Sequence, residues 1–314
     1  MSSQPNADIG QIAAVSYPAV LADQRKPENQ WAENSGMRAL QKLGMIEKKS
    51  LGATIECPID HRRNPGTDFL ATDLTPVSLS KTEVLSTASY AVAELSVPVV
   101  WSKGDDAKNP SENQKIAFVK ALLENAINSH DDAIEEALFT TSTDGFLGWA
   151  TLIPTSGQGT VGGIPAATET MWRNPADTYL ADGSDIESVL ETLFLDAAKG
   201  TGSGGQTKLL ISGQEGVALF TSTQVANQRF MDTKLDASFT TIAFKNAPFV
   251  YSQYGDDKIY GLNKSFKLVV SKQYFRDKGE TRETDEANGF VFKLYSALQA
   301  VTNAKSRLWV ASEA

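Results

Sequence analysis

The strongest periodicity in the chain lies between residues 111 and 139. Ile116, Val119, Leu122, Leu123, Ala126, Ile127, Ala133, Ile134, Ala137 and Leu138 recur at helical spacing. Ser111 with Gln114 three residues later supplies a capping box, so the spacing predicts one helix of about 29 residues, about 43 Å long. Glu112, Lys115, Lys120, Glu124, Asp131 and Glu135 are expected largely on its other sides. A long helix with one apolar stripe serves as a spine on which other elements rest. His130 continues the stripe and reads as a packed or edge residue rather than a catalytic base.

A second period precedes it. Ala91, Ala93, Leu95, Val97, Val99 and Trp101 alternate along YAVAELSVPVVW, which predicts one long strand. The segment before it, from Leu51, is strand-like but broken by Pro58, Pro65, Gly66 and Pro76, with a polar tip HRRNPGTDF at 61–69. Together they form an extended hairpin, marginal until it packs on another surface. Residues 1–50 are mostly polar, apart from a loosely helical set of Trp31, Leu40, Leu43 and Met45. That stretch reads as an arm that docks on something else, or as a frayed terminus.

Beyond the long helix, residues 142–183 are rich in Gly, Thr, Ser and Pro. Ser184 and Glu187 then make a second capping box, starting a helix with Ile186, Val189, Leu190, Leu193 and Phe194 on one face and Gly200 as its stop. LLIS at 209–212 is a short buried strand, and a further helix is expected from Gln214 to Ala226. The remainder, including TTIAF, PFVYSQY, KIYGL, SFKLVV, GFVFKLYSAL and SRLWVA, reads as mostly strand. Without a regular strand–helix–strand rhythm or an internal repeat, the class is α+β.

Composition narrows the function more than the fold. At 314 residues, with 41% hydrophobic and 21% charged residues, the chain makes one large domain or two subdomains of an ordinary globular protein. No apolar run approaches the roughly 18 residues of a membrane span, and MSSQPNADIG lacks the basic and apolar blocks of a secretory signal. The expectation is a protein made and kept in the cytoplasm, without a membrane partner. A net charge of −9 argues against a broad nucleic-acid-binding face, although it leaves room for a local basic strip. One cysteine, Cys57, excludes an internal disulfide and a cysteine-rich zinc site.

Candidate chemistry is sparse. GTGSGGQTK at 200–208 resembles a phosphate loop, but Gln206 stands where lysine is required and the order is helix, loop, strand. Cys57 and His61 sit close without an evident third group to orient the imidazole. Acid pairs at 105–106, 131–132 and 256–257 have no histidine arranged with them as a metal site and read as solvated surface. No catalytic constellation assembles, and no cofactor or metal is expected.

What remains is GGIPAATETMWRNP at 162–175. Gly162 and Gly163 let the backbone bend, Trp172 offers a large apolar body with one donor, Arg173 a planar charged fork, and Asn174-Pro175 a rigid turn. The stretch suits an anchored junction. It also resembles the glycine, small-residue, W-R-N wording of tailed-bacteriophage major capsid proteins of the HK97 fold. QRF at 228–230 and KNAPFVYSQYGDDKIYGLNKSFKLVV resemble that family too, and the order of parts agrees over nearly the whole chain.

The resemblance implies an N-terminal arm over 1–50, an extended E-loop over 51–103, a P-domain with the spine helix over 104–165, an A-domain over 166–267, and returning P-domain strands with the C-terminus over 268–314. It implies a non-enzymatic subunit that self-assembles into hexamers and pentamers of an icosahedral shell. Such a shell encloses double-stranded DNA without sequence specificity, in a virion built in the host cytoplasm. A portal and a cement protein are further expected partners, and because the chain reaches its E-loop within 50 residues, scaffolding would come from a separate protein or assembly would proceed without it. Trp172, Arg173, Asn174, Gly162 and Gly163 become assembly candidates, with Arg62 and Arg63 at the E-loop tip. An encapsulin-type nanocompartment is the alternative within the fold. A hydrolase or transferase using the Ser/Thr-rich loop near residue 156 is the alternative of another class.

The type member of that family cross-links an E-loop lysine to an asparagine of a neighbouring P-domain with help from a glutamate. Lys81 is the only lysine within 51–102 and lies away from the tip, whereas Asn288, Asn303, Glu283 and Glu286 would suffice on the other side. The donor decides, so no such bond is expected here.

Overall fold

A computed structural model describes residues 35–60, 67, 84–108, 112–198, 206–223, 242–278, 282–284 and 289–314. The polar tip at 61–66, QRF at 228–230, Lys81, Ser111, Glu286 and Asn288 lie outside the described residues.

After a short helix, Ser35–Lys42, come β1 (Ile46–Lys49), β2 (Thr54–Asp60), β3 (Leu85–Ala91) and β4 (Ala93–Ser102). The long helix follows at Glu112–Phe139, 28 residues, close to the expected length. The polar connection after it holds three short pieces: β5 (Ser142–Thr143) with β6 (Phe146–Leu147), a turn of helix at Trp149–Leu152, and β7 (Thr160–Val161) with β8 (Ile164–Pro165). Next are β9 (Ala176–Tyr179), a helix Ile186–Ala197, β10 (Leu209–Ser212) and a helix Gln214–Thr223. The strands β11 (Ile242–Phe244), β12 (Ala247–Tyr251), β13 (Ile259–Leu262), β14 (Phe266–Lys278), β15 (Arg282–Thr284), β16 (Gly289–Thr302) and β17 (Trp309–Glu313) complete the chain.

Two sheets organise these elements. A five-stranded sheet runs β1-β14-β16-β15 with β4 also paired to β16, and a six-stranded sheet runs β11-β12-β10-β13-β17-β9. The long helix covers the first sheet, where Val99, Phe292 and Leu294 pack with Ala126. The helices Ile186–Ala197 and Gln214–Thr223 cover the second, burying Leu190, Phe194 and Phe220 against Phe244, Phe249 and Trp309. The final strand leaves β16 for the second sheet, pairing with β13 and β9 rather than with the other returning strands.

The run YAVAELSVPVVW is two strands, not one. Gln299, fully buried on β16, donates through Nε2 to the carbonyls of Ala91 (2.5 Å) and Gly145 (2.8 Å), while its Oε1 accepts from Leu147 and Ala300 N–H. The Ala91 carbonyl is thereby tied to a side chain of the five-stranded sheet, and the separate β2–β3 ladder ends at that residue, where Thr54 faces Ala91. From Ala93 onward the chain pairs with β16 over ten residues instead. The extended hairpin is therefore β2–β3 alone among the described residues.

Three further expectations change. Residues 35–49, placed in the arm, belong to the body: Met37, Ala39 and Leu40 are buried and β1 pairs in parallel with β14. Glu135, expected on an outer side of the long helix, is 1% exposed. The second capping box does not form, because Asp185 is the residue before the helix and its Oδ1 accepts from Leu180 N–H at 2.8 Å.

Candidate assembly junction

The stretch 160–175 closes on itself through its own residues. Gly162 (φ +60°) and Gly163 (φ +79°) form the two-residue turn between β7 and β8, a left-handed pair that side chains disfavour. The Gly162 carbonyl accepts from Ser89 N–H at 3.0 Å, and a Cβ at Gly162 would come within 2.6 Å of the Ala88 Cβ. The turn thus sits directly against β3 of the hairpin.

Trp172 is 2% exposed, and its Nε1 donates to the Val161 carbonyl at 3.2 Å, tying the far end of the stretch to the turn. Arg173 donates from Nε to Ala166 O and from Nη2 to Ala167 O, both at 2.9 Å, which uses two arms of the fork on adjacent carbonyls. Buried Asn174 donates to Pro154 O at 3.0 Å and to Pro175 O at 3.3 Å, leaving its Oδ1 without a hydrogen-bond partner among the described residues. Val310 N–H then donates to Pro175 O at 3.2 Å as the chain passes into β9. Five candidates, Gly162, Gly163, Trp172, Arg173 and Asn174, come together between the hairpin and the second sheet. Arg62 and Arg63 lie outside the described residues.

A second joint escaped the sequence reading. Glu135 Oε1 accepts from Gly36 N–H (3.2 Å) and Ser252 Oγ (2.6 Å), and Oε2 from Met37 N–H (3.0 Å). Its carboxylate caps the start of the helix Ser35–Lys42, where free N–H groups favour negative charge. Burial pushes the Glu135 carboxyl up from its ordinary range, and the bonds from Ser252, Met37 and Gly36 pull the other way. One turn back, Asp132 accepts from Tyr254 Oη at 2.6 Å and Gln253 Nε2 at 3.0 Å. Ser35 Oγ donates to the Tyr251 carbonyl. Two carboxylates of the long helix therefore fasten both the N-terminal helix and the 251–254 turn after β12. The available signal was the spacing of Asp132 and Glu135, three apart and so on one side of the helix.

His130 is fully buried, with Nε2 2.7 Å from Ser296 Oγ and Nδ1 3.1 Å from Asp131. Burial pushes the Cys57 thiol up from its ordinary value, which makes it a poorer nucleophile. A cleft of about 270 Å³ between β4, the long helix and the β5–β6 turn holds Glu94, Glu136 and Asp144 but no histidine or cysteine. Among the described residues no group of three or more His, Cys, Asp or Glu side chains could hold a metal.

No protein-family model matches the chain, and no curated protein matches it. Solved structures do. A chain of the cyanophage A-1(L) capsid asymmetric unit aligns at a TM-score of 0.63 and 15% identity, covering 92% of this chain and 95% of that one. A chain from the capsid of an empty GTA particle gives 0.58 at 10% identity, covering 93% and 96%. One from Mycobacterium phage Adephagia gives 0.55 at 11% identity, covering 94% and 97%. At these identities the likeness establishes the fold, which is the α+β HK97-type capsid fold.

Proposed function

We propose that this chain is a major capsid protein, the repeating structural subunit of an icosahedral phage shell. The observation that carries the reading is coverage: 92% of this chain and 95% of a cyanophage capsid chain align, so the likeness extends over the whole subunit and not one shared motif. Heterologous contacts between identical copies close into rings, which is how one chain builds both hexamers and pentamers. On this reading the β2–β3 hairpin with its tip forms the E-loop, and the first sheet with the long helix forms the P-domain. The second sheet with its helices forms the A-domain, and residues 1–34 form the arm. The junction at 162–175 fixes the hairpin relative to the second sheet, so Gly162, Gly163, Trp172, Arg173 and Asn174 act by setting the subunit's shape. Arg62 and Arg63 serve at the hairpin tip.

The chain does its work by packing, without catalysis. Its partners are further copies of itself, a separate scaffolding protein, a portal, a cement protein and packaged double-stranded DNA held without sequence specificity. It assembles in the host cytoplasm and ends in the virion. Negative-stain microscopy of the purified full chain tests the reading: icosahedral shells are expected, and a stable small oligomer under every assembly condition overturns it.

A further inference from the structure

Lys305 begins the 3-10 turn Lys305–Arg307 that carries the chain from β16 to β17, and it is fully buried. Among the described residues its Nζ has no hydrogen-bond partner and no carboxylate pairs with it. An ammonium withdrawn from water without an acceptor is costly, so the group calls for an anion. Desolvation has pushed its pKa down to about 8.

Nearby runs the turn Pro154–Gly159, closed by Gly157 N–H donating to Pro154 O at 2.9 Å. Thr155, Ser156, Gln158 and Gly159 are exposed. Gly157 (φ +67°) and Gly159 (φ +137°) hold backbone angles that side chains disfavour, so the turn stays bare at both positions. A Cβ built on Gly159 would find two described atoms within 4 Å, Pro154 Cγ at 3.3 Å and Lys305 Nζ at 4.0 Å. Gly159 is exposed and carries no side chain, so the buried ammonium lies about one side-chain atom beneath this turn.

We propose that the Pro154–Gly159 turn and Lys305 form a binding site for a carboxylate, supplied by an acidic side chain of a second copy of this chain. A carboxylate is slim enough to approach through a glycine-sized opening and needs one ammonium. A DNA phosphodiester is gripped by bases spread over an open face, which a chain of net charge −9 does not favour here. Acidic residues outnumber basic ones 38 to 29, so a second copy carries carboxylates to accept from the ammonium. The second copy as source rests on the shell reading; the site itself does not.

The test follows the Lys305 Cε resonance against pH in the full chain with labelled lysine, assigned by its loss in Lys305→Met. Dissociated subunits are titrated with sodium acetate against matched sodium chloride, and assembled particles are measured alongside. Acetate is expected to raise the Lys305 pKa by about one unit or more, as a near opposite charge does. Gly159→Ala, which fills the opening, is expected to abolish that response while Lys305 remains; it also serves if Lys305→Met fails to fold. A rise in particles, with or without the acetate response, supports the proposal. A rise with acetate alone assigns the site to free carboxylates and removes the second copy. No rise in either arm overturns the site. Failure to form particles counts against the shell reading, and the acetate arm still decides the site.

Discussion

Leu85–Ala91 and Ala93–Ser102 are adjacent strands that meet inside the run YAVAELSVPVVW, and they have different fates. The first pairs with β2 in a two-stranded ladder, with Ala88 and Tyr90 buried and Leu85 72% exposed. The second enters the five-stranded sheet beside β16 and lies under the long helix, where Val99 meets Ala126, Phe292 and Leu294. Periodicity assigned the inward face of the second, where Ala93 and Val99 are buried, but not of the first, where Ala91 is exposed and Ala88 and Tyr90, on the opposite register, are buried. It could not assign the partner, because that choice depends on a strand nearly 200 residues downstream. A two-stranded ladder is marginal alone, whereas a strand in a covered sheet shares the stability of the whole body.

The largest predicted effect tests that difference directly. Val99→Asp places an unpaired carboxylate in the seam between β4 and the long helix, where Val99 is 5% exposed, and is expected to cost about 4 kcal/mol. Leu85→Asp, at an exposed position one strand earlier, is expected to change subunit stability by no more than about 0.5 kcal/mol. Chemical denaturation of both variants measures the pair. Equal losses would mean that β3 and β4 belong to one cooperative element after all.

A smaller change should loosen one strand and spare the other. Gly162→Ala puts a methyl 2.6 Å from the Ala88 Cβ at a backbone angle of φ +60°, so strain and collision add to about 2 kcal/mol. The contact is with β3, not β4. Hydrogen exchange is expected to accelerate at Ser86–Ala91 and stay unchanged at Leu95–Trp101. Uniform acceleration across both strands would show that the turn supports the body as a whole.

The sequence made local facts legible and left distant pairings hidden. The long helix, the LLIS strand and the order of later strands follow from period and burial, which neighbouring residues set. Gln299 shows where that reasoning stops: a glutamine directly after GFVFKLYSAL looks like a polar strand position, yet its amide clamps Ala91 of the hairpin to Gly145 and Leu147 of the β5–β6 turn. Glu135 failed for a related reason. A helix acid is ordinarily solvated, and its burial makes sense only beside the N–H groups of Gly36 and Met37. At the junction, residue types were informative because glycine, tryptophan and arginine have distinctive chemistry. Their partners were not, since the acceptors on Val161, Ala166 and Ala167 are backbone carbonyls common to every residue.

Arg173→Ala sharpens the comparison from the hairpin's support. It removes two bonds to the Ala166 and Ala167 carbonyls from a partly exposed side chain, which is expected to cost about 1 kcal/mol of subunit stability. The loss in assembly is expected to exceed the loss in melting, because the loop orients the hairpin-facing turn. Light scattering during assembly, set beside a thermal melt, checks the ratio. A variant that melts and assembles normally contradicts this role.

The smallest expected effect concerns whether the hairpin is fastened covalently once copies meet. An isopeptide bond needs an uncharged amine in a dry pocket, an amide carbonyl in contact and a carboxylate to move the proton. Lys81 is the one lysine between residues 51 and 102, and the polar stretch 61–69 carries Arg62 and Arg63, which stay charged and cannot act as nucleophiles. In sequence Lys81 stands four residues before Leu85, where the paired part of the hairpin resumes. Particles boiled in detergent under reducing conditions are therefore expected to give one band near 33.9 kDa, unchanged in Lys81→Ala. A ladder of multimers that disappears in that variant would show that β3, unlike β4, owes its final anchorage to a covalent bond with a neighbour.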